Sequence, residues 1–207
     1  MIIIIGNQKG GAGKSTITML LANYLTRERN AKATVIDMDY QQSVSQKFEK
    51  AKILENEEPY QVIAADLEQF PQMAVTIKRN KDHFVLIDLP GKLDDDGLIP
   101  VFKAADQVIC PFSYDEFSFE STILFSIVLR KINPDIAINY VPNRVKAKVK
   151  YETQADVNEQ LVKFGRVSLP LPDRIDFART NTLFTPLAIK PMVAQLFDQL
   201  FTEHIFK

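Results

Sequence analysis

The sequence predicts a doubly wound α/β fold, a mostly parallel sheet with helices on both faces. Two observations carry that reading. Short apolar runs alternate along the chain with helical periodicities and turn clusters. The first run, Ile2–Ile5, breaks into Gly6-Asn7-Gln8-Lys9-Gly10-Gly11-Ala12-Gly13-Lys14-Ser15, and a helical pattern begins at once. A β-branched apolar run of this kind suits a strand buried on both faces of a parallel sheet. At 207 residues the chain fits one domain, residues 1–207.

The remaining elements follow in order. Ile17, Leu20, Leu21, Tyr24 and Leu25 recur on one helical face, which ends in the charged stretch Arg27–Lys32. Ala33–Ile36 reads as a second strand, and residues 41–58 as a helix followed by a polar connection. Tyr60–Ala64 predicts a strand and Leu67–Ile77 a helix. Phe84–Ile87 is a buried strand ended by Asp88-Leu89-Pro90-Gly91. A short helix over Leu98–Ala104 and a strand over Gln107–Cys110, closed by Pro111, come next. Phe117–Ile132 is helical and apolar on nearly every side, as in a deeply buried helix or one at a subunit interface; the interface is favoured. Ile136–Val141 gives a strand, Ile175–Arg179 the start of a helix, and Val193, Leu196, Phe197, Leu200 and Phe201 one face of a last helix.

The 25 basic and 26 acidic residues nearly cancel, so overall charge points to no partner and any nucleic-acid contact needs a local patch. Cys110 is the single cysteine, which excludes an intramolecular disulfide and suits a reducing compartment; packing is its expected role. Ile2–Ile5 is too short for an export or membrane-spanning segment, so a cytoplasmic protein is expected. His83 and His204 have no ligand-spaced companion.

A strand, a glycine-rich turn and a helix N-terminus make an anion cradle, because backbone N–H groups converge where glycines let a phosphate approach. Lys14 would neutralise β/γ-phosphate charge and the Ser15 hydroxyl would sit on Mg²⁺. Asp37 and Asp39, two apart at a strand end, can face one side and order Mg²⁺ and a water; an acidic helix cap is the alternative. Asp88 ends a buried strand, the Walker B arrangement that delivers a carboxylate toward a metal, usually through water.

The strict phosphate-loop spacing fails, because Gln8 stands where its first glycine belongs. The loop fits K-G-G-x-G-K-[ST] instead, with Lys9 at its start. That variant resembles the deviant Walker ATPases of the ParA/MinD family, P-loop NTPases by fold. Asp37-Met38-Asp39-Tyr40-Gln41 resembles the family's D-x-D-P-Q with Tyr40 for the proline, and the Asp88 segment its D-x-P-G. The likeness spans the chain and is strongest over about its first ninety residues.

The resemblance implies a small ParA-type partition or positioning ATPase without the N-terminal DNA-binding region of some relatives. It implies ATP held by Lys9, Gly10, Gly11, Ala12, Gly13, Lys14, Ser15 and Thr16. Mg²⁺ would be held by Ser15 and, through its water shell, by Asp37 and Asp88. Asp39 would orient the attacking water, and Lys9 would cross to the nucleotide of a second subunit in a homodimer. Asn143, after the sixth strand, inherits a place at the adenine. Nonspecific DNA, on the nucleoid, and a centromere-binding or other stimulatory protein are the implied partners.

Arg144, Lys146, Lys148 and Lys150 alternate with apolar residues; if extended, they form one cationic edge, which could meet DNA or simply be solvated. Arg174 and Arg179 are further DNA candidates, by resemblance. Two rival functions stand beside this one. A MinD-like membrane positioner would want a basic amphipathic C-terminal helix, whereas the polar side here carries Gln195, Asp198, Gln199 and Glu203. A ligase of the dethiobiotin synthetase type would use the same loop on a small molecule. The superfamily's iron–sulfur reductases need more than one cysteine.

Overall fold

The computed structural model describes residues 1–52, 57–77, 82–92 and 94–201. Seven strands form one sheet in the order β3-β2-β4-β1-β5-β6-β7. They are β1 (Ile2–Ile5), β2 (Lys32–Asp37), β3 (Gln61–Ala64), β4 (His83–Asp88), β5 (Gln107–Phe112), β6 (Ala137–Pro142) and β7 (Arg166–Val167). Every pairing among them is parallel, as the doubly wound reading requires. The helices are α1 (Lys14–Asn23), α2 (Ser43–Lys52), α3 (Phe70–Ile77), α4 (Leu98–Ala104), α5 (Glu116–Ile132), α6 (Gln154–Val162), α7 (Ile175–Ala178) and α8 (Lys190–Phe201).

The central strand shows why continuous apolar runs were needed. Ile2 and Ile4 face one core with Phe102, Phe125 and Leu129; Ile3 and Ile5 face the other with Leu20, Leu21 and Phe197. Successive side chains leave opposite faces of a strand, and both faces here are covered. Cys110 is fully buried in the first core, and burial pushes its thiol far above the ordinary range, so it acts as packing.

Three local features depart from the sequence reading. The charged stretch Arg27–Lys32 is not all connection: a π turn over Tyr24–Glu28 extends the first helix into it, and Lys32 already belongs to β2. Pro111 does not close β5, which runs on to Phe112. Pairing with β1 stops at Ile109, so on that side Pro111 has no ladder bond to lose, while β6 still pairs through Phe112. Residues 144–150 are not extended. Arg144 has a left-handed φ of 56°, Val145 bridges to Pro172, and Val149 N–H closes a turn on the Lys146 carbonyl. The four cations are therefore not one row along a strand edge.

The helix α6 and the two-residue strand β7 carried no prediction. α6 buries only Val157 and Leu161, a weak periodic signal over nine residues. Residues Glu203 and His204 lie outside the described set, as does part of the polar connection after α2. No described helix is long and apolar enough to cross a membrane.

The turn from α6 into β7 gives a stability test. A Cβ at Gly165 would stand 2.2 Å from the Ile138 carbonyl oxygen, so the backbone must move. At Gly10 nothing lies within 4 Å of the same atom. Gly165→Ala should cost about 1–3 kcal/mol in urea unfolding, while Gly10→Ala stays within about 0.5 kcal/mol of wild type.

Candidate functional site

The site is assembled at the carboxyl ends of β1, β2 and β4, the crevice where open parallel sheets hold ligands. Register brings its acids together: Ile5 pairs with Asp88, and Asp88 pairs with Asp37 on the next strand. The loop after β1 then folds over these ends and enters α1.

Two glycines of that loop have backbone angles that L side chains rarely adopt, Gly11 at φ 74° and Gly13 at φ 97°. Gly13 is also closely approached, since a Cβ there would lie 2.2 Å from Asn143 Nδ2. The Asn143 amide donates to the Ala12 carbonyl at 2.8 Å and its oxygen accepts from Arg144 N–H at 3.0 Å. Asn143 thus ties the loop to the end of β6. Gly91 serves the opposite side: a Cβ there would come within 3.7 Å of both Gly10 Cα and Lys14 Nζ.

Lys14 is buried at the start of α1, and Ser15 and Thr16 complete the helix's first turn. Asp88 is wholly buried, and its pKa is pushed up to about 7. Desolvation is the main cause; the Ser15 hydroxyl and Lys14 pull the other way, and Asp37 and Asp39 add repulsion. Thr18 Oγ1 donates to Asp88 Oδ1 at 3.2 Å, whereas Oδ2 has no hydrogen-bond partner of good geometry. A buried, orphaned carboxylate oxygen beside a serine hydroxyl fits the water shell of Mg²⁺. Among the described residues no three His, Cys, Asp or Glu side chains converge to hold a metal unaided. Phosphate oxygens and waters would complete the shell, the usual arrangement for Mg²⁺.

Asp37 is also buried, and both of its oxygens are engaged. Oδ2 accepts from Val44 and Ser45 N–H at 3.1 and 2.8 Å, capping α2, and Oδ1 accepts from Asp39 N–H at 3.3 Å. The acidic-cap alternative is therefore a real part of its role. Asp39 is half-buried on the turn, with Oδ1 accepting from Gln41 N–H at 2.9 Å.

Lys9 lies on the outer side of the loop. Its ammonium is 3.5 Å from Asp115 Oδ1 and 5.5 Å from the centre of the Phe117 ring. Asp115 caps α5, accepting from Ser118 N–H at 2.9 Å and from the Ser113 hydroxyl. Beneath the loop, buried Asn7 donates to the Pro111 carbonyl at 2.8 Å and to Thr122 Oγ1 at 2.9 Å. Its oxygen accepts from Lys9 N–H at 3.2 Å. Sequence reasoning missed Asn7, Thr18 and Asp115; only Asn7, next to the loop, was within reach of it.

Beside the loop opens a cavity of about 710 Å³, between Gly13, Thr16, Asn143 and Arg144 on one side and Pro172, Arg174 and Phe177 on the other. That volume suits a nucleoside. Lys47, another residue missed, lines it while donating to the Thr180 carbonyl at 2.8 Å; burial lowers its pKa. Arg174 lines the cavity paired with Asp176 at 2.9 Å, while Arg179, Lys146, Lys148 and Lys150 are exposed outside it.

The sequence matches the family model described as the CobQ/CobB/MinD/ParA nucleotide binding domain over residues 3–182. No curated protein matches it. Among solved structures it is similar to a plasmid partition protein of Borrelia burgdorferi B31 bound to AMPPNP, with 23% identity and a TM-score of 0.74, covering 97% of this chain and 99% of that one. It is also similar to MinD in the MinC:MinD complex of Aquifex aeolicus, at 16% identity, TM-score 0.71 and coverage of 100% and 97%. The ATP complex of a Cyanothece McdA variant matches at 18% identity, TM-score 0.71 and coverage of 97% and 94%. At these identities the likeness is one of fold.

The raised pKa of Asp88 gives a signed prediction for the nucleotide-free protein. The folded state keeps this proton to about pH 7, whereas an unfolded aspartate releases it near 3.8. Its contribution is complete below the unfolded value and is lost as pH rises through the folded one. Asp88→Asn should match wild type in thermal stability near pH 4 and exceed it at pH 8, by a margin on the order of a few kcal/mol. Melting both proteins across that range checks it.

Proposed function

The chain belongs to the CobQ/CobB/MinD/ParA nucleotide-binding domain family, and from that premise we propose that it is a Mg-ATP-dependent ATPase switch that partitions or positions DNA. The observation that carries this reading is the pair of lysines on one loop. Lys14 is buried against the strand ends, and Lys9 faces outward, held by a side chain of α5.

Lys14 and the amides of residues 10–16 bind the β- and γ-phosphates at the N-terminus of α1. Ser15 is a direct ligand for Mg²⁺, and Asp88, with its unpartnered oxygen, receives the metal's water. Asp37 sits next to Asp88 in register and orders the same water shell with the lone pairs that the α2 cap leaves free. Bound Mg²⁺ supplies charge neutralisation across the phosphates. Asp39, less buried and less engaged, orients the attacking water. Asn143 and Arg144 border the base, with Asn143 also fixing the loop.

Lys9 needs a second nucleotide to serve, because its own subunit's phosphates already have Lys14. ATP therefore joins two copies, each Lys9 stabilising charge developing on the partner's nucleotide. The dimer binds DNA without sequence preference through Arg174, Arg179, Lys146, Lys148 and Lys150, in the cytoplasm and on the nucleoid. A centromere-binding or similar protein stimulates slow turnover.

Calorimetry and turnover on two variants test the assignment. Lys14→Ala should lose most Mg-ATP affinity, at least about tenfold. Asp39→Ala should keep affinity within about threefold and lose hydrolysis by about a hundredfold or more. Unchanged affinity in folded Lys14→Ala would refute the phosphate-loop role, and wild-type turnover in Asp39→Ala would refute the water-orienting role.

A further inference from the structure

The cavity beside the loop holds a cation to which the proposed reaction gives no work. Lys47 follows Val44 by three residues on α2 and precedes Phe48, and both of those are buried. That spacing turns its side chain inward, and it is half-buried on the cavity wall. Its ammonium donates to the Thr180 carbonyl at 2.8 Å and pairs with no carboxylate among the described residues. An ammonium has three donors, so two remain to be met. Taking such a group from water is costly unless its hydrogen bonds are completed, and the desolvation already lowers its pKa.

Two other donors of the same wall are already engaged. The Asn143 amide is spent on the Ala12 carbonyl, and Arg174 is paired with Asp176. Lys47 therefore keeps donors for a ligand where its neighbours do not.

The part of a nucleotide that meets Lys47 follows from the order of the cavity, a step that rests on the phosphate-loop reading above. With phosphates at the N-terminus of α1, the nucleoside runs into the cavity from Gly13 and Thr16. The base lies by Asn143 and Arg144. The sugar joins the two ends, passing Thr16 and Ile17 of α1, and Lys47, Phe177 and Ala178 are among the residues that border the cavity there. We infer that Lys47 reads this sugar: its free N–H groups donate to the ribose hydroxyl oxygens, and the site selects ribonucleotides over deoxyribonucleotides. An apolar wall would accept either sugar, whereas a desolvated cation is left short of a partner when the hydroxyl is missing.

Two measurements on the full chain test this. Calorimetry with Mg²⁺ compares ATP, 2′-deoxy-ATP and 3′-deoxy-ATP. Wild type should bind ATP at least about tenfold more tightly than one or both deoxy analogues. Lys47→Met, which keeps an apolar stem, should weaken ATP and bring all three within about twofold of one another. Lys47→Arg should restore part of the preference. The ratio is the readout, because loss of the Thr180 contact alone weakens the three alike.

The second measurement needs no variant. ATP whose ribose has been opened by periodate to a 2′,3′-dialdehyde is added to wild type. The Lys47 amine adds to an aldehyde carbon, water leaves, and borohydride reduces the imine to a stable amine. Peptide mass spectrometry should find the label on Lys47, and excess ATP should prevent it. Equal affinity of wild type for all three nucleotides, an unchanged ratio in Lys47→Met, or label on other lysines without Lys47 would each overturn the inference. Failure of wild type to bind any of the three would instead bring down the phosphate-loop reading, and the inference with it.

Discussion

A lysine and two aspartates buried at one edge of a parallel sheet are the constraint on which this structure depends. Lys14, Asp37 and Asp88 lie within the fold, where an unpaired charge is costly. The protein meets that cost differently for the two aspartates. Asp37 spends its charge on two N–H groups of α2 and one of the following turn. Asp88 answers burial by a raised pKa, with the Thr18 hydroxyl donating to Oδ1 and the Ser15 hydroxyl beside it. Its Oδ2 has no hydrogen-bond partner of good geometry, and it stands where a hydrated metal ion would supply one.

The rest of the architecture holds that edge in place. Glycines at positive φ let the loop turn over the strand ends, Asn143 ties it to β6, and Asn7 ties its base to β5 and α5. These links also join the loop to the outer surface. Asn7 reaches Thr122, and Lys9 reaches Asp115, one at the middle and one at the cap of α5. The same helix therefore supports the loop from below and, through its capping aspartate, holds its outward lysine. A solvent-exposed lysine–carboxylate contact contributes at most about 1 kcal/mol, so Lys9 is positioned without being locked.

Much of this was legible in the sequence because it depends on local pattern. Continuous apolar runs identified six of the strands, and the loop's lysine and glycine spacing marked the candidate site. What stayed hidden depends on tertiary context. The left-handed backbone at Arg144 follows from the bridge between Val145 and Pro172, and that turned an expected cationic strand edge into a turn. Pro111 reads as a strand end until the limited pairing of β1 is known. Asp115 and Thr18 are ordinary residues in the sequence, and only folding brings them to Lys9 and Asp88. Asp37 bears out the cap that was the alternative reading of its sequence, and it lies beside Asp88 in register.

The central claim is that the two lysines of one loop serve two nucleotides, one in each subunit. Sedimentation of wild type and Lys9→Ala with Mg²⁺ and a slowly hydrolysed ATP analogue tests it most directly, with analogue affinity measured on the same samples. The account predicts that both bind the analogue alike, that wild type shifts from monomer to dimer, and that Lys9→Ala stays monomeric. A Lys9→Ala protein that dimerises as wild type does would contradict it.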